Sequence, residues 1–491
     1  MSAGPREATG PVRVANFIGG EWAGAASGRT YTRENPAAAG EIAVEAPDSD
    51  AADVAQAVEH VAAGRHAWSR LAPEARAAVL YRAADILASR AGRLAAELVR
   101  EEGKTLAEAR NETRRTPQNL RMYAGEALRL TGESYPSAGG LVLTHREPAG
   151  VVAAITPWNF PLNIPSRKLG PALAAGNGVV FKPSELTPLL GQRLVEALLE
   201  AGVPGSALAM VHGHADVGKA LVSDPRVNAV TFTGSTAAGE AIHASMSPWA
   251  RCQLETGGKN AVLVWEDADL DLAAGIVVKG AFGLAGQACT GTSRVVAHER
   301  VADGLLERVL ARTRAIVVGN GLDDGVTMGP LASAAQQEKH DAYLRTARAD
   351  SEVRGTSGQG REPVGGYFVR PAIVTGVRPG DRLAQEEVFA PILAFLTVPN
   401  YDEAIEVVNG TAYGLSAGVV TASVGMALRF TRDAEAGLVK VNQPTTGMAM
   451  NAPFGGLKKS STQTFKEQGG DSAMRFYTRE KTVYFDPEDA A

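Results

Sequence analysis

From residue 149 onward, short runs of β-branched and other apolar residues alternate with Ala- and Leu-rich stretches of helical period. Strand–helix repeats of this kind form parallel sheets, because a crossover helix must bring the chain back before a parallel neighbour can start. The alternation therefore predicts a doubly wound α/β domain. The predicted strands are Val151–Thr156, Val179–Lys182, Leu208–His212 and Ala229–Thr233, and the predicted helices are Arg167–Ala175, Leu189–Ala201, Val217–Ser223 and Ala237–Ser245.

The rest of the chain lies on either side of this region. Before it, Ile18–Trp22 predicts a hairpin, and three Ala-rich stretches predict helices at about 51–70, 73–100 and 106–130. The tail, Ala473–Phe485, is strand-like and has no partner nearby in sequence, which favours pairing across an oligomer interface. A second α/β region from about 261 to 445 contains the predicted strands Ala261–Trp265, Arg294–Ala297, Ile392–Thr397, Gly418–Thr421 and Gly437–Val441.

Length and composition are those of a globular enzyme. The 491 residues suffice for two or three domains, and 45% hydrophobic with 21% charged residues is typical of a folded chain. A formal net charge of −5 gives no electrostatic reason to bind nucleic acid or an anionic membrane. Two cysteines, the absence of an apolar leader and the absence of a run of about 18 apolar residues favour a cytoplasmic protein without a membrane span.

Three residues that can act together on a carbonyl group occur in separate short motifs. Cys289 offers a nucleophile if a base or a positive charge activates its thiol, and otherwise it is a small buried apolar side chain, as we interpret Cys252. Glu255 offers a general base, or a surface carboxylate at a strand end. Asn159 offers an amide N–H to a developing oxyanion, or only stabilises its own loop. The eight histidines are scattered, and no metal site is predicted.

Two turns that follow predicted parallel strands are candidates for nucleotide contacts. Gly234 and Gly239 have the spacing G-x-x-x-x-G, and with Ser235 they form either a phosphate site at a helix N-terminus or an ordinary capped turn. Lys182 and Glu185 lie at the sheet edge where nucleotides bind in such folds, or they form an exposed ion pair. A carboxylate there accepts hydrogen bonds from ribose hydroxyls and repels a 2′-phosphate.

Seven short motifs are spread over nearly the whole chain in a fixed order. They are Thr-Pro-Trp-Asn-Phe-Pro (156–161), Lys-Pro-Ser-Glu (182–185), Phe-Thr-Gly-Ser-Thr (232–236), Glu-Thr-Gly-Gly-Lys (255–259), Gly-Gln-Ala-Cys-Thr (286–290), Glu-Glu-Val-Phe-Ala-Pro (386–391) and Pro-Phe-Gly-Gly-Leu-Lys (453–458). In this order the chain resembles the NAD(P)-dependent aldehyde dehydrogenase superfamily.

The resemblance implies an α/β fold with a Rossmann-type cofactor domain, an α/β catalytic domain and a small β oligomerisation arm. The implied NAD-binding domain covers 1–125 and 149–257, the catalytic domain 258–460, and the arm 126–148 and 475–491. A homodimer or homotetramer is implied as well.

The resemblance also implies a role for each motif residue. Cys289 resembles the nucleophile that forms a thiohemiacetal with an aldehyde, Asn159 the oxyanion donor, and Glu255 the base that activates water against the resulting thioester. The implied reaction is oxidation of an aldehyde to a carboxylic acid with NAD, and NADP is the less favoured cofactor. The implied cofactor contacts are Thr156, Pro157, Trp158, Lys182, Ser184, Glu185, Gly234, Ser235, Gly239, Thr256, Gly257, Glu387 and Phe389.

Four residues are candidates for the substrate tunnel. Phe160, Met448 and Phe454 supply apolar wall. Arg167 stands where succinate-semialdehyde and lactaldehyde dehydrogenases also have an arginine, and it favours an aldehyde that carries a carboxylate. The second substrate arginine of the succinate-semialdehyde enzymes falls at Gly283 here. The alternative is that Arg167 only packs at a helix start and that the substrate is a neutral or aromatic aldehyde.

Three positions depart from the family pattern without removing a catalytic group. Thr256 replaces the common Leu after the base, Ala390 replaces a Gly, and Lys459-Ser460-Ser461 replaces Lys-x-Ser-Gly. With Phe465-Lys-Glu-Gln-Gly469, the last departure resembles the branch that contains 2-oxoglutarate semialdehyde dehydrogenases.

Three other functions are alternatives. A CoA-acylating semialdehyde dehydrogenase is disfavoured because such enzymes generally lack a glutamate at the position of Glu255. A catalytically silent member of the fold is disfavoured by the presence of Cys289, Glu255 and Asn159. A cofactor-free cysteine hydrolase lacks a motif for the His or Asn partner of its cysteine.

Overall fold

The computed structural model describes residues 10–137, 140–354, 364–462, 464–467 and 470–486. The ends of the predicted ranges 1–125 and 475–491, and the last two residues of 465–469, lie outside this part. Its strands are β1 Val12–Arg13, β2 Asn16–Ile18, β3 Glu21–Ala23, β4 Thr30–Asn35, β5 Ala38–Pro47, β6 Ser134–Tyr135, β7 Leu141–Pro148, β8 Val151–Ile155, β9 Gly178–Lys182, β10 Leu208–Met210, β11 Ala229–Thr233, β12 Arg251–Glu255, β13 Ala261–Val264, β14 Arg294–His298, β15 Glu352–Arg354, β16 Ala372–Thr375, β17 Ile392–Val398, β18 Tyr413–Gly414, β19 Ser416–Val420, β20 Leu438–Val441, β21 Leu457–Lys458 and β22 Thr478–Phe485.

Helices alternate with strands after residue 149, as the sequence predicts. Several begin at a side chain that caps them locally, such as Ser235 and Asp269. The helices are α1 Ala51–Gly64, α2 His66–Ser69, α3 Pro73–Ser89, α4 Ala91–Glu102, α5 Leu106–Ala127, α6 Asn163–Ala174, α7 Pro188–Glu200, α8 Ala215–Ser223, α9 Thr236–Ser245, α10 Leu270–Phe282, α11 Glu299–Arg314, α12 Ala334–Asp350, α13 Arg382–Gln385, α14 Tyr401–Asn409, α15 Val424–Asp433 and α16 Gly470–Phe476, with a 3₁₀ turn at Gly283–Gly286.

The first sheet has seven strands in the order β12-β11-β8-β9-β10-β2-β3. The strands from β12 to β10 are parallel, which confirms the predicted doubly wound sheet. The chain passes from β8 to β9 and β10 on one side and then crosses to β11 on the other. A crevice therefore opens at the carboxyl ends of β8 and β11, where Thr156 and Gly234 follow. The predicted hairpin is confirmed by β2 and β3, which turn at Gly19 and Gly20 with positive φ.

The second sheet also has seven strands, in the order β15-β16-β17-β14-β13-β19-β20. All neighbours are parallel except β15, which runs antiparallel to β16. Its strands β13 and β14 are buried along their whole length, as strands covered by helices on both faces must be. Each of the two sheets has its own apolar core, and the chain passes from one sheet to the other between Glu255 and Ala261.

The third sheet corrects one prediction. The segment from Ala473 was expected to be strand-like and, with no partner nearby in sequence, to pair across an oligomer interface. In the structure, Gly470–Phe476 is helix α16, and β22 pairs antiparallel with β7 of the same chain, from Thr478 opposite Pro148 to Phe485 opposite Leu141. The order β22-β7-β6 leaves β22 at an edge of this sheet. The partner strand was missed because it lies about 330 residues earlier in the chain.

Two predicted helices are each divided in the structure. The stretch 51–70 ends its first helix at Gly64, and a short helix follows Arg65. The stretch 73–100 is interrupted at Arg90, where the backbone leaves the helical region with φ −96° and ψ 2°. The first division falls at Gly64, but the second, at Arg90, is marked by neither Gly nor Pro, so helical periodicity alone does not indicate where that axis turns.

Helix α6 begins at Asn163 rather than at the predicted Arg167. The residue before it, Leu162, has no capping side chain, and Pro165 falls in the first turn, where a missing N–H costs little. The cap comes from another helix: one oxygen of the Glu112 carboxylate accepts the N–H groups of Leu162 and Asn163 at 2.9 and 3.0 Å. A cap supplied by α5 leaves no signal in the local sequence.

Candidate active site

A cavity of about 970 Å³ lies at the carboxyl ends of the first sheet's strands. Twelve of the thirteen predicted cofactor residues line it, and so do Asn159 and Cys289. The exception is Gly239, which packs α9 closely against the end of β12. A Cβ at Gly239 would lie 2.8 Å from Cγ2 of Thr256, so a larger residue would displace the helix. The structure thus gathers three motif turns and the cysteine loop around one space.

One end of the cavity contains Lys182 and Glu185. Lys182 is buried, and its Nζ lies 3.9 Å from a Glu185 carboxylate oxygen and 3.3 Å from the Pro183 carbonyl. Burial lowers the pKa of Lys182. Glu185 is half-exposed at the cavity wall, and Ser184 Oγ accepts the N–H of Leu186, which fixes the turn. This end of the cavity presents a carboxylate, which can accept hydrogen bonds from hydroxyl groups, and a cation, which can pair with a phosphate.

The opposite side of the cavity is formed by turns around Ser235 and Phe389. Ser235 Oγ accepts the Ala238 N–H at 3.3 Å and caps α9, and Ser235 also faces the cavity. Phe389 adopts φ 57° and packs edge-on against Trp158, with ring centroids 5.5 Å apart. A non-glycine residue in that backbone region is uncommon and marks a constrained loop.

Glu387 approaches the backbone near the cysteine. Its Oε1 accepts the Gly258 N–H at 3.1 Å, and a Cβ at Gly257 would lie 2.1 Å from its Oε2. Gly257 is therefore needed for close approach of this carboxylate, whereas a Cβ at Gly258 would meet Asn260 Oδ1 at 2.7 Å and the Cys289 carbonyl oxygen at 2.9 Å. Gln336 and Lys339 also line the cavity, and sequence reasoning missed both because they lie on α12, away from any motif. The size of the cavity and its polar residues fit a dinucleotide such as NAD(P).

Asn159 is buried between two catalytic loops. Its Nδ2 donates to the Gln287 carbonyl at 2.9 Å, and within the described residues its Oδ1 has no hydrogen-bond partner. Its own carbonyl accepts Lys104 Nζ at 2.7 Å, and Lys104 also donates to Glu112 at 2.7 Å. Lys104 and Glu112 are almost fully buried, so a buried ion pair holds the Asn159 loop from behind. Sequence reasoning did not identify either residue.

The loop before Cys289 is strained and firmly held. Leu284, Ala285 and Gly286 have successive φ values of 52°, 51° and 71°, and a Cβ at Gly286 would lie 2.4 Å from the Ala390 carbonyl oxygen. Left-handed backbone in two non-glycine residues persists only where the surroundings enforce it. The Leu284 N–H is held by the Glu108 carboxylate at 2.7 Å.

After the strained turn, Asn260 fixes the cysteine itself. Its Nδ2 donates to the carbonyl oxygens of Cys289 and Gly291 at 2.7 and 2.9 Å. Burial raises the pKa of the Cys289 thiol to about 12, with Glu387 adding to the rise and Arg167 opposing it. The thiol is therefore protonated at neutral pH in the ligand-free protein and needs a base or a nearby positive charge to react. Cys252, expected to be a small buried apolar side chain, is partly exposed, and burial raises the pKa of its thiol to about 11.

Glu255 lies at the end of β12 and is buried, not exposed at the surface. Its carboxylate accepts the Gly456 N–H and the Ser461 hydroxyl, each at 3.2 Å. Burial raises the pKa of Glu255 well above its usual value, and the neighbouring Glu467 raises it further. Glu255 does not line the large cavity, in contrast to Asn159 and Cys289. A carboxyl with a raised pKa is suited to take up a proton near neutral pH.

Thr256 contacts the segment 459–461, and both differ from the common family pattern. The Thr256 hydroxyl donates to the Lys459 carbonyl at 2.5 Å, and the Thr256 N–H donates to the Ser460 carbonyl at 2.9 Å. Ser460 Oγ in turn donates to the Gly257 carbonyl at 2.7 Å. The hydroxyl of Thr256 is therefore bound to backbone, and together these bonds fix the segment that carries Ser461 beside Glu255.

Three of the four predicted substrate residues come together. Arg167 is buried, its Nη1 donates to Met448 Sδ at 2.9 Å, and its guanidinium lies 5.4 Å from the centroid of the Phe454 ring. Its Nη2 lies 3.6 Å from Glu467. Phe160 is placed differently, since its ring packs against Lys104 Nζ at 4.6 Å.

Glu467 links Arg167 to the first sheet and was not identified from the sequence. Its Oε2 accepts Thr233 Oγ1 at 2.9 Å and Lys168 Nζ at 3.2 Å. Burial works to raise the pKa of Glu467, but the charges of Lys168 and Arg167 lower it below its usual value. Glu467 is therefore an ionised carboxylate shared by two cations.

Among the described residues, no group of three or more His, Cys, Asp or Glu side chains could hold a metal ion. Within the same ranges, no helix combines the length and the apolar composition that crossing a bilayer requires.

A doubly wound sheet whose crevice is lined for a dinucleotide and ends at a cysteine defines the class of NAD(P)-dependent oxidoreductases. The chain matches the model of the Aldehyde dehydrogenase family over residues 22–483, and it belongs to that family. It is accordingly an oxidoreductase that acts on the aldehyde group.

Known proteins resemble the chain over nearly its full length. It is 40% identical to the alpha-ketoglutaric semialdehyde dehydrogenase of Bacillus subtilis (strain 168), over 96% of this chain and 98% of that protein. It is also 40% identical to the 2,5-dioxopentanoate dehydrogenase of Saccharolobus solfataricus, over 93% of this chain and 96% of that protein. The crystal structure of an NAD-dependent aldehyde dehydrogenase from Sinorhizobium meliloti superposes with a TM-score of 0.92 at 34% identity, over 98% and 96% of the two chains.

Proposed function

We propose that this protein oxidises a semialdehyde that carries a carboxylate, with 2-oxoglutarate semialdehyde as the first candidate, to the corresponding carboxylic acid, using NAD. The observation that carries the proposal is the meeting of Asn159 and Cys289 at the end of the nucleotide cavity, with the buried Arg167 nearby. The two relatives at 40% identity are named for 2-oxoglutarate (alpha-ketoglutarate) semialdehyde and for 2,5-dioxopentanoate, and they support the substrate class.

In the first half-reaction, Cys289 releases its thiol proton to water, and its sulfur forms a bond to the aldehyde carbon. The carbonyl oxygen becomes an oxyanion, which the second N–H of the Asn159 amide and the Cys289 backbone N–H stabilise. The first amide N–H of Asn159 donates to the Gln287 carbonyl, and this hydrogen bond fixes the direction in which the second N–H points. Lys182, Glu185 and Glu387 would help to hold NAD, which would supply the acceptor for the hydride that leaves the thiohemiacetal carbon, so that the carbonyl could re-form as a thioester on Cys289.

In the second half-reaction, Glu255 takes a proton from water, and the hydroxide adds to the thioester carbon. The carbon–sulfur bond then breaks and releases the carboxylic acid, and the leaving sulfur of Cys289 takes the proton from Glu255, which restores both the thiol and the carboxylate. Burial and the raised pKa make Glu255 a stronger base than a solvated carboxylate. The presence of this glutamate supports water, not CoA, as the acyl acceptor.

Glu185 supports NAD as the preferred cofactor. Its carboxylate faces the cavity beside Lys182, where a 2′-phosphate on the adenosine ribose would meet a negative charge. Two ribose hydroxyls would instead donate hydrogen bonds to the same oxygens. The cytoplasmic location remains a prediction from the cysteine content.

The same proposal includes a homo-oligomer. The outer edge of β22 in the third sheet is unpaired within the described residues, and β20 is likewise an open edge of the second sheet. Tyr484, Phe485 and Leu141 are exposed on the third sheet by 77%, 57% and 49%. Open edges with exposed apolar side chains are usually covered by another chain.

The proposal is tested by NADH formation with purified protein and a panel of aldehydes. The panel contains 2-oxoglutarate semialdehyde, succinate semialdehyde, pentanal and benzaldehyde. We expect the highest kcat/KM with a carboxylated aldehyde and a higher kcat/KM with NAD than with NADP. The variant Cys289→Ala should form no NADH with any aldehyde, and Cys252→Ala serves as the matched control with near wild-type rates.

Each result has a defined meaning. A kcat/KM that is higher for pentanal than for both semialdehydes would contradict the substrate class but not the family chemistry. Turnover by Cys289→Ala close to that of the wild type would contradict the mechanism.

A further inference from the structure

One face of helix α5 runs along both catalytic loops. Glu108 accepts the Leu284 N–H, Glu112 accepts the N–H groups that begin α6, and Asn119 donates to the Asn163 side chain at 2.7 Å. These three residues are spaced by four and seven positions, so they lie on one side of the helix. Arg115 lies between Glu112 and Asn119 on that side, and its half-buried side chain reaches the Met448 carbonyl.

Arg115 and Arg167 meet at Met448. Arg115 Nη2 donates to the Met448 carbonyl at 2.9 Å, while Arg167 Nη1 donates to the sulfur of the same residue at 2.9 Å. Arg167 is 4% exposed, and Arg115 is half-buried. Two guanidinium groups thus approach one predicted tunnel residue from α5 and from α6.

The charge at this place is not balanced. Arg115 forms no ion pair within the described ranges, because Glu112, the acid one turn before it, is bound to Lys104. The single carboxylate of Glu467 is shared by Arg167 and Lys168. Burial lowers the pKa of Arg115, and the charge of Arg167 lowers it further, as two like charges in proximity must. Guanidinium groups remain protonated in proteins, so Arg115 and Arg167 each carry a positive charge beside Met448.

We propose that Arg115 is a specificity-determining residue, which together with Arg167 binds the carboxylate of the substrate that is remote from the aldehyde carbon. The inference rests on the proposed function, because it deepens the substrate class stated there. A planar guanidinium can hold a carboxylate through two parallel N–H···O bonds, and a second one supplies donors for the neighbouring keto oxygen of a 2-oxo acid. The carboxylate would neutralise two facing cations that otherwise repel each other. In the succinate-semialdehyde enzymes the second substrate arginine falls at the position of Gly283. Arg115 supplies a second cation from another place in this chain.

The test compares Arg115→Met with Arg114→Met, which removes the adjacent arginine on the exposed side of the same helix. With 2-oxoglutarate semialdehyde, Arg115→Met should lower kcat/KM by about 10- to 150-fold, the range expected for losing hydrogen bonds to a charged group. The change should appear in KM, with kcat near that of the wild type, because the carboxylate is bound alike in substrate and transition state. With pentanal the change should stay within about threefold, which is the scatter of remote substitutions.

A second measurement does not depend on turnover of an acidic aldehyde. Free 2-oxoglutarate should inhibit the oxidation of pentanal by the wild type and by Arg114→Met, and markedly less by Arg115→Met. Arg115→Lys, which keeps the charge but not the planar fork, should recover part of both effects. Equal losses with pentanal and with the semialdehyde, or inhibition that is unchanged in Arg115→Met, would overturn the role of Arg115. If wild-type protein prefers pentanal yet loses 2-oxoglutarate inhibition in Arg115→Met, the anion site stands and the proposed substrate class fails.

Discussion

At the scale of single residues, Ser461 is the departure closest to the proposed base. The family commonly has glycine there, and the Ser461 hydroxyl donates to Glu255 Oε1 at 3.2 Å. A hydrogen bond to the ionised form stabilises it and lowers the pKa of the carboxyl. Ser461 therefore opposes, in part, the rise that burial imposes on the pKa of Glu255.

This argument predicts a shift in the pH profile of deacylation for Ser461→Gly. Without the hydroxyl, the pKa of Glu255 rises further, so the active carboxylate form appears only at higher pH. The rising limb of the deacylation rate should move towards alkaline pH by about 0.5–1 unit, as expected for the loss of one hydrogen bond of about 1 kcal/mol. The rate is measured after the burst of NADH formation, between pH 5 and 9.

Thr462→Ala is the control, because Thr462 is the next residue and its hydroxyl contacts backbone and another threonine instead of Glu255. Its profile should coincide with that of the wild type. A shift of Ser461→Gly towards acid pH would contradict the argument, since it would mean that the hydroxyl stabilises the protonated carboxyl.

At the scale of secondary-structure elements, the N-terminal half of α5 holds both catalytic loops through buried charge. Lys104, just before the helix, bonds the carbonyl of Asn159 and the carboxylate of Glu112, and both charged side chains are 1% exposed. Removing one member of such a pair leaves the other charge buried and uncompensated. The free-energy cost of that unpaired charge exceeds the net stabilisation that the intact pair provides.

We therefore expect Lys104→Met to destabilise the protein by about 3–5 kcal/mol, because Glu112 is then left unpaired. The double variant Lys104→Met with Glu112→Gln should recover part of this loss, because position 112 then carries no charge, while the buried Glu102, 3.8 Å from Lys104 Nζ, still loses its cation. Lys279→Met, at an exposed position of α10, should change the stability by less than about 0.5 kcal/mol. Melting temperatures of the three variants and the wild type provide the measurement. A double variant that melts below Lys104→Met would contradict the role of the unpaired charge.

The same elements show what could be predicted from the sequence. The strands β8, β9 and β11 were predicted within a residue or two, because buried parallel strands read as continuous apolar runs. The turns after them, at Thr156 and Gly234, could be placed together because parallel strands end at one edge. The start of α6 could not be predicted, since its cap is Glu112, about 50 residues earlier. Asn260, Lys104 and Glu467 were missed for the same reason: their partners are distant in sequence.

At the scale of the whole molecule, the two large sheets separate at 255–261, close to the predicted boundary between 257 and 258. That boundary is visible in the sequence because two series of strands and helices follow each other. The third sheet joins β7 and β22 from opposite ends of the chain, and no local pattern indicates that pairing. Its outer edge, at β22, is the feature that bears on assembly.

The exposed edge predicts that assembly depends on the side chains of β22. Tyr484 and Phe485 are exposed by 77% and 57%, and burying two such side chains against another chain favours association by about 2–4 kcal/mol. We expect the wild type to elute as a multiple of the chain mass in size-exclusion chromatography with light scattering. Replacing both residues by lysine should shift the protein towards the mass of one chain, because a lysine-rich edge resists pairing.

Trp249→Lys is the control, since Trp249 is 92% exposed elsewhere, and this variant should keep the wild-type mass. A wild type that elutes at the mass of one chain, or a double lysine variant that keeps the wild-type mass, would contradict assembly through this edge.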